Sequence, residues 1–211
     1  MTDINPTSFP ADARDDLTGV IRYVLTKHLQ NTDDMLPAKV IAFDRAKNRV
    51  SVQPLISVVT TSNTLVSRAT IASLPVLQLG GGGFVLSFPI ATGDLGWIKA
   101  SDRDISLFLQ SYTESQPNTA RKHTFEDALF IPDTMMKGVT LADSSAVCIQ
   151  SLDGTTSITM KNGVISINAT TINLNGTTVA ITAPTLTSNN VNISSTHVHS
   201  DPQGGVTGPP Q

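Results

Sequence analysis

Two of the four histidines of this chain stand one residue apart near its end, in the stretch "STHVHSDPQGGVTGPPQ" (Ser195–Gln211). Imidazole is the commonest metal-binding side chain and the natural acid–base group near neutral pH. On an extended strand His197 and His199 point the same way, because alternate residues share a face. One chain then offers two nitrogen donors. If that face turns inward at a three-fold axis, three chains offer six. Six nitrogens suit an octahedral transition metal such as Fe(II), Ni(II) or Co(II) rather than tetrahedral zinc. An isolated His-x-His is usually a pair of surface histidines, so its meaning depends on the residues before it.

Other candidates for chemistry are weaker. His28 and His123 have no evident nucleophile as partner. Asp102, Arg103 and Asp104 read as a charged turn rather than an acid/base pair, which would need positioned partners. The run "LGGGGFVLSF" (Leu79–Phe88) lacks the Gly-Lys-Ser/Thr of a phosphate loop and reads as a flexible hairpin tip. Cys148 is the sole cysteine, so no internal disulfide forms.

The residues ahead of the histidines carry a repeat. Ile158 and Met160, Ile165 and Ile167, Ile172 and Leu174, and Val179 and Ile181 form apolar pairs, each seven residues after the last. Leu186 and Ile193 continue the step with Ser188 and Ser195 as second members. Within a pair the spacing is i, i+2, which is strand alternation rather than a heptad helix. Gly163, Gly176 and Pro184 also oppose a long helix. Seven residues are too few to wrap an axis alone, since single-chain β-helices use coils of about twenty or more. Three copies could share the wrapping, each unit stepping to the neighbouring face one layer higher. Layers about 4.8 Å apart would stack six units into a prism on the order of 30 Å long. No Asp, Glu, Lys or Arg occurs from Asn162 to Ser200. At the end of such a prism a metal would tie the three chains together where apolar burial is scarcest, and its binding energy would become folding energy.

Elements upstream must hold this prism. Leu17, Val20, Ile21, Val24, Leu25 and Leu29 lie on one helical face, with Asp15 and Asp16 at a favourable start. That face is expected to dock on its own domain, with a partner subunit as the other reading. From about Leu36 to Asp133 short strands alternate with turn residues. "KVIAFD" and "RVSVQPLI" flank the turn "RAKN" as a hairpin, and "VLQL", "FVLSFPI", "LGWIKA" and "ISLFLQ" follow. The pattern predicts a small antiparallel barrel of OB type. The net charge of −3, without a basic cluster, gives no attraction for nucleic acid. The polar, acidic N-terminus is unlike a secretory signal, and no apolar run approaches the length of a membrane span.

The ending "HVHSDPQGGVTGPP", the front stretch "LPAKVIAFDRAKNRVSVQPLI" and "FPIATGDLGWIKASDRDISLFL" closely resemble the central baseplate spikes of contractile-tailed phages and R-type bacteriocins. The resemblance implies an OB domain, an intertwined trimeric β-helix and an iron-binding tip. It places the ligands at His197 and His199 of three chains: one iron, Fe(II) or Fe(III), per trimer, held by six imidazoles. The implied organisation is an arm and helix at 1–34, an OB domain at 35–137, a trimeric β-helix spike at 138–196 and a metal-binding tip at 197–211. The implied role is structural. Sheath contraction would drive the spike through the host outer membrane, and the OB domain would join it to the tail hub. The chain would be made in the host cytoplasm and carried in the virion, at the baseplate tip. No inserted segment resembles a peptidoglycan-cutting domain, so an enzyme is not expected.

Two rivals remain at this level. A receptor-binding fibre would favour recognition patches, yet residues 139–211 contain no Phe, Tyr or Trp. A β-helical envelope-degrading enzyme would have longer coils and an activity on peptidoglycan or polysaccharide.

Overall fold

The structure is a computed structural model that describes residues 16–60, 62–200 and 202–208. The chain divides into two compact units, Met1–Thr140 and Leu141–Gln211.

In the first unit, helix α1 (Leu17–Gln30) starts at Asp16, whose carboxylate accepts the Gly19 amide at 2.5 Å. This satisfies one of the amides that a helix start leaves unpaired. Asp15 and the arm before it lie outside the described residues. Lys27 and His28 occupy the last turn, where the dipole favours positive charge. The apolar stripe forms as its spacing demands, yet no residue of α1 is buried, and Leu17 and Leu29 are 75% and 67% exposed. The expectation that this face docks on its own barrel is therefore not met.

Strands β1 (Met35–Asp44) and β2 (Arg49–Pro54) form the expected hairpin, with a bulge between Val40 and Ala42. In its turn the Asp44 carboxylate accepts the Lys47 amide at 3.1 Å, and Asn48 takes the left-handed conformation that asparagine tolerates. A small hairpin pairs β3 (Val58–Val59) with β4 (Leu65–Val66), and β5 (Ile71–Pro75) follows. The Gly-rich run is a hairpin tip, as expected: β6 (Leu79–Gly81) and β7 (Phe84–Leu86) pair across Gly82 and Gly83. Next come β8 (Leu95–Ser101), the short helix α2 (Phe108–Ser111) and β9 (Thr124–Pro132).

The main sheet has the order β5-β2-β1-β8-β9, and every neighbour is antiparallel. A bridge from Val76 to Phe130 joins its two edges and nearly closes a barrel. The fold is mainly β, as the strand pattern predicted. Strand alternation sends Ala38, Val40, Val50, Val52, Leu74, Ile98, Ala128 and Phe130 inside, each at most 1% exposed.

Two local expectations are overturned. "ISLFLQ" is a helical turn rather than a strand. The Asp104 carboxylate accepts the Ser106 amide at 2.9 Å, and Leu109 N donates to Ile105 O at 3.0 Å, so the chain coils before extension can begin. The edge strand that completes the barrel is instead β9, whose "TFEDALF" hides its alternation behind the buried Asp127.

In the second unit, β10 (Val147–Gln150), β11 (Ser157–Lys161) and β12 (Val164–Asn168) make an antiparallel meander. Strands β13 (Thr187–Ser188) and β14 (Val191–Asn192) make a two-residue hairpin. The first two repeat units thus pair with each other inside one chain. The expected step to a neighbouring copy does not apply between them, because Asn162 and Gly163 supply a tight turn at that point.

Candidate metal centre

The repeat presents its apolar side chains in register. Val147 lies opposite Met160, and Met160 opposite Ile165. Beside this row, Ile149 lies opposite Ile158, and Ile158 opposite Ile167. Cross-strand partners share a face, so these six side chains form one continuous apolar surface. All six are between 42% and 70% exposed in the single chain. Farther on, Ile172, Leu174, Val179 and Ile181 are at least half exposed.

The two histidines follow β14 by way of a turn. The Asn192 side-chain carbonyl accepts the Ser194 amide at 2.9 Å, which bends the chain. The Ser194 carbonyl then faces His197, taking its amide at 3.1 Å and lying 2.7 Å from its Nδ1. A carbonyl only accepts, so Nδ1 carries the proton and Nε2 keeps its lone pair. This is how metal-binding imidazoles are commonly oriented. The rings of His197 and His199 stand 5.1 Å apart at an interplanar angle of 83°. Two rings this close can reach one ion at metal–nitrogen distances of about 2.1 Å. Two imidazole nitrogens are a donor pair of the kind transition metals favour. Among the described residues no cluster of three or more His, Cys, Asp or Glu is placed to hold a metal ion.

Past the histidines the chain folds back. His199 N donates to Thr207 Oγ1, and Thr207 N returns a hydrogen bond to His199 O, both at 2.9 Å. An antiparallel bridge from Ser200 to Val206 closes this loop. Asp201 and residues 209–211 of the expected tip lie outside the described residues. Ser194, which faces the His197 ring, and Thr207, which bonds the His199 main chain, carry no signal of their own in the sequence. Serine and threonine are so frequent in this region that neither stood out.

The other charged candidates are absorbed into the first unit. Arg121 bridges two buried carboxylates, at 3.0 Å from Asp127 and 3.2 Å from Asp104. The Ser106 side chain and amide, the Thr119 hydroxyl and the Arg121 charge hold the Asp104 carboxyl far below the usual carboxylate range. Asp102 stays at the surface, 2.9 Å from Arg103 and 3.0 Å from His123 Nε2. What reads in sequence as one charged turn is divided between a buried ion cluster and a surface pair.

The first unit is a five-stranded, nearly closed barrel, and the second presents an exposed apolar sheet. Residues 36–133, the span of the barrel, match the family model described as the phage protein Gp138 N-terminal domain, which supports a phage structural protein. No curated protein matches the chain. Among the described residues, no helix is long and apolar enough to cross a membrane.

Proposed function

We propose that the protein is the central baseplate spike of a contractile tail, driven through the host outer membrane when the sheath contracts. The observation that carries this reading is the in-register apolar surface of β10–β11–β12, left open to water in a single chain. A contiguous exposed patch of this kind marks an interaction site. Three copies facing a common axis would bury it, and the partial ligand set of His197 and His199 would become six imidazoles. Iron is the metal proposed for the tip, one per trimer. When bound, it supplies a cross-link among three chain ends.

The residues of the chain then divide the work. The Ser194 carbonyl holds the His197 ring with Nε2 free. Thr207 ties the returning tail to His199. The stretch from Asn162 to Ser200 has no charged side chain to desolvate against lipid, where an unpaired charge costs several kcal/mol or more. The barrel joins the spike to the tail hub, and the exposed face of α1 gives it an apolar surface for that contact. The role is mechanical, with no catalytic residue and no nucleic-acid partner.

The test is native mass with elemental analysis of the purified chain. Three chains and one metal per particle are expected, and the His197→Ala/His199→Ala variant should lose the metal. A monomer, or unchanged metal in that variant, would overturn the reading.

A further inference from the structure

The sequence holds two Asn-Gly pairs, Asn162–Gly163 and Asn175–Gly176, and the structure sets them in opposite surroundings. Asn162–Gly163 closes the β11–β12 hairpin. Lys161 pairs with Val164 directly across it, and Gly163 is held at φ 75°. Asn175–Gly176 lies within residues 169–185, which have no strand pairing in their own chain. Gly176 is outside the left-handed region that a tight hairpin turn demands. The Asn175 side chain is exposed and, among the described residues, has no hydrogen-bond partner.

An asparagine followed by glycine carries its own electrophile and nucleophile. The main-chain nitrogen of the glycine gives its proton to hydroxide and attacks Cγ of the asparagine, since no Cβ shields it. A five-membered ring forms as the bond from Cγ to the side-chain nitrogen breaks. Ammonia leaves, taking its last proton from water and restoring the hydroxide. Water then opens the ring at either carbonyl. One product is aspartate, and the other is isoaspartate, whose main chain runs through the side chain. One water is consumed and one ammonia released, with no oxidant or reductant. The attack requires the main chain to turn until the glycine nitrogen faces Cγ. In the hairpin that rotation would break the Lys161–Val164 pair. At Asn175 no ladder within the chain opposes it. We infer that Asn175 is the preferred site of spontaneous deamidation in this protein, and that its hairpin spares Asn162. The product sets a carboxylate in the stretch from Asn162 to Ser200, which otherwise has no charged side chain. Isoaspartate also lengthens the main chain between the Ile172–Leu174 and Val179–Ile181 pairs, which upsets their seven-residue step.

The test holds the full-length native protein in mildly alkaline buffer. Fragmentation mass spectrometry locates the gain of one mass unit, and an isoaspartate-specific methyltransferase reports the isomer. Asn175 should convert well before Asn162, and the methyltransferase should label the aged chain. Gly176→Ala should slow conversion at Asn175 severalfold. That variant suits the fold, because a Cβ there would lie 3.4 Å from the Thr178 carbonyl oxygen, an ordinary contact, on a backbone that alanine adopts. In urea, where the hairpin is lost, Asn162 should catch up with Asn175. Equal rates at the two pairs in the native protein would overturn the inference. So would an Asn175 that stays intact in the native protein while it converts in urea.

Discussion

Gly96 and Phe130 are fitted to each other: a Cβ at Gly96 would fall inside contact distance of the Phe130 ring and of the Ile131 carbonyl. Gly96 is the second residue of β8, beside Pro132 of β9, and Phe130 is fully buried two residues before that proline. The missing side chain is the space the ring occupies. Phe130→Ala should lower barrel stability by about 3–5 kcal/mol through the cavity it leaves. Gly96→Ala should cost roughly 1–3 kcal/mol by overpacking, and the cost should shrink when Phe130 is also reduced to Leu. Trp97 is the only tryptophan and lies on β8, so urea unfolding followed by its fluorescence reads this unit. Full-size, additive losses in the double variant would refute the fit.

Acid should weaken the barrel through Asp104. Its folded carboxyl is held far below the ordinary value by Ser106, Thr119 and Arg121. A group with a depressed folded pKa contributes stability that is present above its unfolded pKa, about 3.9, and is lost as pH falls toward the folded value. Stability should therefore decline below about pH 4, the unfolded chain taking up a proton that the folded one refuses. Asp104→Asn should lower stability at neutral pH and flatten this decline. Arg121→Leu should be worse, because it leaves Asp104 and Asp127 both buried without their cation. Tm measured from pH 2 to 7 on the three proteins checks the sign. An acid slope unchanged in Asp104→Asn would remove Asp104 as its source.

A charge on the open sheet should separate assembly from folding. Ile158 sits at the middle of one apolar row, between Ile149 and Ile167. Ile158→Asp should reduce the native mass from three chains to one, since a trimer would have to bury the carboxylate unpaired. The Trp97 unfolding curve should not move. A trimer that survives this substitution does not bury that face.

The face of α1 gives a parallel test in the first unit. Because none of its residues is buried, Leu17→Gln/Ile21→Gln/Val24→Gln should change barrel stability by less than about 0.5 kcal/mol. The same variant should fail to join the baseplate, as judged by its absence from purified particles. Normal incorporation would show that the hub does not read this face.

The sequence was most legible where period and turn chemistry agreed. Ala38, Val40, Val50 and Val52 alternate cleanly around the Arg45–Asn48 turn, and their hairpin is as expected. The reading failed where a buried polar group set the local structure. Asp104 coils the apolar "ISLFLQ" run through the Ser106 amide, which no hydrophobic pattern records. Asp127 sits inside a strand because Arg121, six residues earlier, neutralises it. Along the repeat the period was plain. Whether a unit folds back or runs on depends on single turn residues, Gly163 against Thr170, rather than on the apolar pairs. The histidine pair stood out by type and position. The Ser194 carbonyl that orients His197 is a backbone group, and side-chain patterns are blind to it.

The charge-free stretch from Asn162 to Ser200 has a consequence for digestion. Lys161 is the last basic residue of the chain, and it lies at the end of β11. A protease that cuts after lysine or arginine finds no scissile bond beyond it, whether or not the chain is folded. Trypsin should therefore leave residues 162–211 as one uncut piece.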